Sequence, residues 1–74
     1  MLDAEKIGKT IHRLRNENGM PQEVFSGLAA LDCTHYSKIE RVQRTPTLET
    51  NFKMAAALEM KPSDLIREIE IDLL

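Results

Sequence analysis

The chain has 74 residues and a formal net charge of −2 at neutral pH, with 30% charged and 42% hydrophobic residues. This length fits one small domain, so it excludes a multi-domain assembly and leaves little room for an enzyme with a deep substrate cleft. The composition is that of a folded chain, and without a long apolar run or a secretory leader we expect a cytoplasmic domain that does not enter a membrane.

A first helix is predicted in the N-terminal part of the chain. Ile7, Ile11 and Leu14 lie at i, i+4 and i+7, which places them on one buried stripe. The dipeptide Asn18-Gly19 predicts the end of this helix, because glycine adopts the left-handed conformation at a helix C-terminus without a steric cost.

Two short helices are predicted next. The second helix begins near Pro21, since a proline has no N–H that would lack a partner in a first helical turn. Asp32 predicts the start of the third helix, because its carboxylate can accept a hydrogen bond from a free N–H of the first turn. The predicted inner faces are Phe25, Leu28 and Ala29 on the second helix, and Tyr36 and Ile39 on the third.

A loop over residues 41–46 separates these helices from two more. Thr47 predicts the cap of the fourth helix, and either Pro62 or Ser63 predicts the start of the fifth, at about residues 62–73. No segment alternates apolar and polar residues as a strand would, so we expect an all-α, compact five-helix bundle in a single domain over residues 1–74. The predicted inner stripe of the fourth helix is Leu48, Asn51 or Phe52, Ala55 and Leu58, and the apolar residues of the fifth are Leu65, Ile66, Ile69 and Leu73.

Charge is distributed unevenly along the chain. Residues 1–44 hold seven Lys or Arg against six Asp or Glu, whereas residues 45–74 hold three against six. A weakly basic centre followed by an acidic tail is compatible with a localised nucleic-acid face. Taken alone, the same pattern also fits ordinary surface charge.

The central segment resembles a known DNA-binding motif. Residues 19–41, GMPQEVFSGLAALDCTHYSKIER, are similar to the helix-turn-helix of the XRE-type, phage-repressor-like transcription regulators. The similarity extends over about residues 7–66, and the run SKIERxxRxPTL is similar to restriction–modification controller proteins. The resemblance implies a helix-turn-helix at about 21–41 and sequence-specific binding to double-stranded DNA. It places a recognition helix, 32–41, in the major groove.

The resemblance also implies which side chains meet the DNA. Gln22 corresponds to the family's phosphate clamp, and Arg41 and Arg44 correspond to phosphate contacts after the recognition helix. The alternative is that all three are simply solvated. The free face of the third helix, which can approach base edges, consists of Cys33, Thr34, Ser37 and Lys38, with His35 at its margin. A thiol switch at Cys33 is the alternative to a contact role.

Some residues depart from the family pattern. Ala30 stands at the turn position that is usually glycine, and an alanine in the left-handed conformation costs about 1 kcal/mol. Val42 replaces the glycine that commonly follows the third helix, and Tyr36 replaces a β-branched aliphatic residue. Asn51 stands where the fourth helix usually has leucine.

A structural ion pair is implied behind the recognition helix. In the relatives the positions of Arg15 and Glu40 form a partly buried pair that joins the first and third helices. Two independent surface charges are the alternative. We expect the pair, because it would hold the recognition helix in place.

The fifth helix predicts a dimer interface. Ile66, Ile69 and Leu73 lie at i, i+3 and i+7, and a core this small cannot cover every apolar residue of the helix. A two-fold homodimer on an inverted-repeat operator is therefore expected, since one such domain offers few base contacts. The alternative is a final helix folded back on its own core.

No catalytic or metal site is predicted. His12 and His35 lack the spacing of metal ligands, and Asp32, His35 and Ser37 lie on one helix, where they cannot form a catalytic relay. We expect no cofactor. The sequence thus predicts a transcriptional regulator, in the simplest case a repressor that blocks polymerase, and activation through a contact with polymerase is equally open. An inverted repeat just upstream of its own coding region would imply that it controls its own gene. The alternative is an interaction module or antitoxin-like domain of the same fold with little DNA binding.

Overall fold

In the computed structural model, which describes residues 4–74, the chain forms five α-helices and no β-strand. None of the helices in this range is long and apolar enough to cross a membrane. The all-α prediction is confirmed. The helices are α1 Ala4–Glu17, α2 Gln22–Leu28, α3 Cys33–Glu40, α4 Leu48–Ala57 and α5 Pro62–Leu73.

Side-chain caps begin two of the helices as predicted. The Asp32 carboxylate accepts a hydrogen bond from the backbone N–H of His35 at the start of α3. The Thr47 hydroxyl accepts one from the N–H of Thr50 at the start of α4, over 3.2 Å. Each cap satisfies one N–H that an isolated helix end leaves free, so local chemistry fixes where these helices begin.

Four helix ends share one backbone conformation. The residues in the left-handed region are Gly19, Ala30, Val42 and Glu59, with φ between 55° and 66°. At each end the next residue donates its N–H to a carbonyl five positions back, as Leu31 does to Ser26 over 2.8 Å. This is the Schellman closure. Only one of the four positions is a glycine, so the other three carry backbone strain.

The core is aliphatic with one aromatic pair. Ile7, Ile11 and Leu14 are buried on α1 as predicted. The rings of Phe25 and Tyr36 meet edge to face, with centroids 4.9 Å apart, and they join α2 to α3. α5 packs against both α1 and α4, and α2 packs against α3 and α4.

Two predicted inward residues, Leu28 and Leu48, face solvent instead, and of the alternatives Asn51 and Phe52 on α4 it is Asn51 that is buried. Each residue turns a helix by about 100°, so Leu28 lies to one side of Phe25 while the buried Ser26 and Ala29 lie on the other. On α4 the buried side centres on Met54, so Leu48, about 120° around the helix from it, lies just outside that side, and Phe52, about 160° from it, lies nearly opposite. Periodicity fits either side of a short helix, and packing selects one of them.

The predicted dimer stripe on α5 is wrong at Ile69. This residue is only 6% exposed and belongs with Leu65 to the protomer's own core. Leu73 is partly buried against the same core, and Ile66 remains 43% exposed. The helix folds back onto α1 and α4, and of the three predicted interface residues Ile66 is the most accessible.

The acidic end of the chain is tied to α1. Arg13 lies 2.9 Å from a carboxylate oxygen of Glu68 and 3.4 Å from one of Asp72. The hydroxyl of Thr10 donates a hydrogen bond of 2.6 Å to Asp72. The hydrogen bonds from Thr10 and Arg13 lower the pKa of Asp72 despite some burial. Part of the acidic charge of α5 is therefore held against α1.

Candidate nucleic-acid interface

Helix α3 has one buried side and one open side. Tyr36 and Ile39 are fully buried and attach the helix to the core. Cys33 and Thr34 are exposed on the open side, and His35, Ser37 and Lys38 are half-buried there. Within residues 4–74 the side chains of these five residues form no hydrogen bond or ion pair, so their polar groups are available to a ligand.

The loop after α3 carries two exposed arginines, Arg41 and Arg44. The N–H of Val42 bonds to the carbonyl of Ile39 over 3.2 Å, and the N–H of Gln43 bonds to that of Lys38 over 2.8 Å. These bonds turn the chain sharply at the end of α3. Arg41 is the residue at which α3 ends, and Arg44 follows it three residues later in the loop.

Glu40 is the centre of a buried polar cluster behind α3. Its side chain is only 4% exposed. Arg15 of α1 donates to it through Nε, 2.6 Å from Oε2, and through Nη2, 3.2 Å from Oε1. His12 Nδ1 lies 2.8 Å from Oε1, and the Tyr36 hydroxyl donates to Oε2. The structure thus brings Arg15 and Glu40 together as the resemblance implies, and it adds two partners.

The cluster stabilises the ionised form of Glu40. Burial alone would raise the pKa of this carboxyl group, but hydrogen bonds from Arg15, His12 and Tyr36 lower it to about 2. Burial, together with the bond to Glu40, raises the pKa of Tyr36 above its ordinary value. At neutral pH the cluster therefore holds a carboxylate against a guanidinium and a phenol.

Gln22, the predicted phosphate clamp, also belongs to this cluster. Its Nε2 donates a hydrogen bond of 3.1 Å to Glu40 Oε1. A carboxamide nitrogen has two hydrogens, so one remains for a phosphate oxygen. Glu40 also sets which way the amide is turned, because only its N–H side can face a carboxylate. The first turn of α2, where Gln22 lies, has no side-chain cap.

The charges near α3 are unbalanced although the whole chain is acidic. Lys38, Arg41 and Arg44 have no acidic partner among residues 4–74. The nearby carboxylate of Glu40 is neutralised by Arg15. Asp32, at the start of α3, is the exposed acidic group on this helix. The open side of α3 and the following loop therefore form a locally basic surface that suits a polyanion.

Known proteins are similar to this chain in sequence, and solved structures are similar to it in fold. The HTH-type transcriptional regulator y4dJ of Sinorhizobium fredii, described as uncharacterized, is 32% identical over 60 residues, which are 81% of this chain and 78% of that protein. The control protein C.MunI of Mycoplasma sp is 35% identical over 66 residues, 88% and 89% of the two chains. The chain belongs to the helix-turn-helix transcriptional regulators. No protein-family model matches it.

Two solved structures place this regulator near the controller proteins. The restriction–modification controller protein C.AhdI from Aeromonas hydrophila is 35% identical, with a TM-score of 0.80 over 85% of this chain and 96% of that one. The controller protein C.Esp1396I bound to a 19 base pair DNA duplex is 28% identical, with a TM-score of 0.86 over 96% and 95%. The five-helix fold of the regulator is that of the controller proteins.

The sequence of the regulator did not reveal the full cluster around Glu40. His12 lies one turn before Arg15 on the same side of α1, which is the single local signal for its role. The contacts of Gln22 and Tyr36 with Glu40 depend on how α2 and α3 cross. No group of three potential metal ligands occurs in the part of the chain that the structure describes.

Proposed function

We propose that the protein binds double-stranded DNA sequence-specifically and regulates transcription, with α3 in the major groove. The observation that carries this proposal is the open side of α3, a row of unpartnered polar side chains on a helix whose other side is locked into the core. Thr34, Ser37 and Lys38 have the reach and chemistry for base edges. The similarity to a controller protein whose structure contains a DNA duplex supports the same role.

Phosphate contacts would set the position of α3 on the duplex. The candidates for these contacts are Gln22 at the start of α2, and Arg41 and Arg44 in the loop after α3. Such contacts fix register and orientation, while base contacts supply sequence preference. The Glu40 cluster joins both parts, since it holds Gln22 and the C-terminal end of α3 against α1.

We further propose a homodimer on an inverted-repeat operator, with repression by exclusion of polymerase and control of its own gene. Exposed apolar side chains on α4 and α5 support this assembly. Leu48, Phe52 and Ile66 are all more than 40% exposed, and we call these three the α4–α5 surface. A two-fold contact through this surface would cover each of them, and an inverted-repeat operator requires that the two recognition helices then lie about one DNA turn, near 34 Å, apart.

The experiment that tests this function is binding to two duplexes over a range of salt concentrations. One duplex carries the DNA just upstream of the protein's own coding region, and the other has random sequence. We expect tighter binding to the first and a steep salt dependence for both. Absence of binding to either duplex at low salt would instead favour the interaction module, which the overall net charge of −2 also fits.

A further inference from the structure

Asn51 on α4 carries a polar group that the protomer leaves unsatisfied. The residue is 9% exposed, and its Oδ1 is buried without a hydrogen-bond partner among residues 4–74. A buried carbonyl without a partner loses its hydration and gains nothing in return. A leucine would fill such a position without this cost. The protomer alone therefore gives no reason for an amide here.

The surroundings of Asn51 are apolar and open. Leu48 and Phe52, three residues before it and one after it on α4, are both more than half exposed. On its other side Asn51 lines an open pocket of about 360 Å³, together with Ile66 and the loop residue Pro46. Asn51 thus lies within the α4–α5 surface, with exposed apolar side chains on both sides.

We propose that Asn51 pairs with Asn51 of a second copy of this chain and thereby restricts dimerisation to identical protomers. The inference rests on the proposed homodimer. A carboxamide has both a donor and an acceptor, so two of them related by a two-fold axis complete each other. The χ2 torsion of asparagine is soft, which lets the buried oxygen turn toward the partner.

A polar pair at the centre of an apolar contact selects its partner. If Asn51 faced leucine in a related regulator, its amide would be desolvated without a hydrogen bond. A buried asparagine in a coiled coil selects register and partner in the same way. Asn51 would therefore keep this regulator from forming mixed dimers with a protein that has an apolar residue at the corresponding position.

Mixing of subunits tests the proposal with a variant that should fold. Uniformly 15N-labelled wild type and unlabelled Asn51→Leu are combined, unfolded together, refolded and analysed by native mass spectrometry, in which the label separates the mixed dimer from both homodimers by mass. We expect both homodimers and a roughly ten-fold deficit of the mixed dimer relative to the statistical share. The matched control is Asn16→Leu, the same substitution at an exposed position of α1, and it should mix statistically with wild type. A statistical share with Asn51→Leu would overturn the pairing.

Charge variants give a second, positive test. Asn51→Asp and Asn51→Lys should each dimerise at least ten-fold more weakly than wild type, because like charges would meet at the axis. An equimolar mixture should recover dimers that contain one copy of each, provided circular dichroism shows that both variants are helical. Lack of recovery would place residue 51 away from the axis. If wild type sediments as a monomer, the proposed homodimer itself is wrong. This outcome differs from a statistical share of mixed dimers and from lack of recovery, which contradict only the pairing of Asn51.

Discussion

Gly8 of α1 lies directly against the backbone of Ile39 in α3. A Cβ atom at residue 8 would stand 2.8 Å from the Ile39 carbonyl oxygen and 3.2 Å from that of Glu40. Real Cβ atoms do not approach a backbone oxygen so closely, and the backbone cannot rotate away as a side chain can. The absence of a side chain on Gly8 is therefore what lets α1 support the end of the recognition helix.

Gly8→Ala should lower the free energy of unfolding by about 1–3 kcal/mol, because the added methyl group forces α1 and α3 apart. The matched control is Gly27→Ala on α2, where a Cβ would meet nothing within 4 Å. That variant should be more stable by about 0.5–1 kcal/mol, since alanine favours a helix. Urea denaturation of both variants measures the difference, and equal effects would contradict the close approach.

Arg15→Met should cost about 3–5 kcal/mol of stability, because it leaves the Glu40 carboxylate buried without its main partner. A triple variant, Arg15→Met with Glu40→Leu and Tyr36→Phe, removes the charges and the phenol together and should cost less than the single one. Thermal melts compare the two. If the triple variant is the less stable one, the polar cluster around Glu40 makes a net stabilising contribution that apolar side chains of similar size do not replace.

Stability should depend on pH through Glu40. The folded-state pKa of about 2 lies below the ordinary value of 4.5, so between these values the unfolded chain binds more protons than the folded one. Stability from this group is complete above about pH 4.5 and is lost as the pH falls toward 2. The contribution of Glu40 to the free energy of unfolding that is lost in this way is on the order of 3 kcal/mol. Melts from pH 6 to pH 2 measure the loss, and Glu40→Gln should flatten this part of the curve.

The sequence predicted helix boundaries better than helix faces. The caps at Asp32 and Thr47 and the closure at Gly19 are local chemistry, which one segment of sequence contains in full. The choice between Leu28 and Ser26 as the buried residue of α2 depends on the neighbour that packs against it. Ile69 is buried for the same reason, because α5 packs against α1 and α4 of its own protomer. The spacing of apolar residues on a helix does not determine whether that face packs against the same chain or against another protomer.

In the candidate site, too, the features that depend on local sequence could be predicted and the contacts between helices could not. The open side of α3 follows from helical spacing, because Tyr36 and Ile39 fix which side is buried. The Arg15–Glu40 pair was predicted from the resemblance alone, since 25 residues separate the two in sequence. Single-sequence spacing could not predict that Gln22 also contacts Glu40, because that contact exists only once α1, α2 and α3 have packed together.

Val42→Gly should stabilise the fold. Val42 has a φ of 66°, a conformation that is strained for a β-branched residue and free of strain for glycine. We expect a gain of about 1 kcal/mol in the free energy of unfolding. The control is Ala56→Gly at an exposed position inside α4, which should cost a similar amount because glycine disfavours a helix interior. A loss of stability on Val42→Gly would mean that the valine side chain makes contacts worth more than the strain.

The arginines after α3 should act on every DNA sequence alike. If Arg41 and Arg44 neutralise phosphates, replacing both with alanine should weaken binding to specific and random duplexes by the same factor. The slope of log affinity against log salt concentration should shrink by about two units per protomer.

Lys61→Ala with Arg67→Ala removes the same charge from exposed positions at and beyond the start of α5 and should leave the slope nearly unchanged. Thr34→Ala should alter sequence preference at an unchanged slope, because a base contact carries no counterion release. Fluorescence anisotropy titrations at several salt concentrations separate these outcomes. A double arginine variant that binds like wild type at every salt concentration would show that DNA meets a different side of the protein.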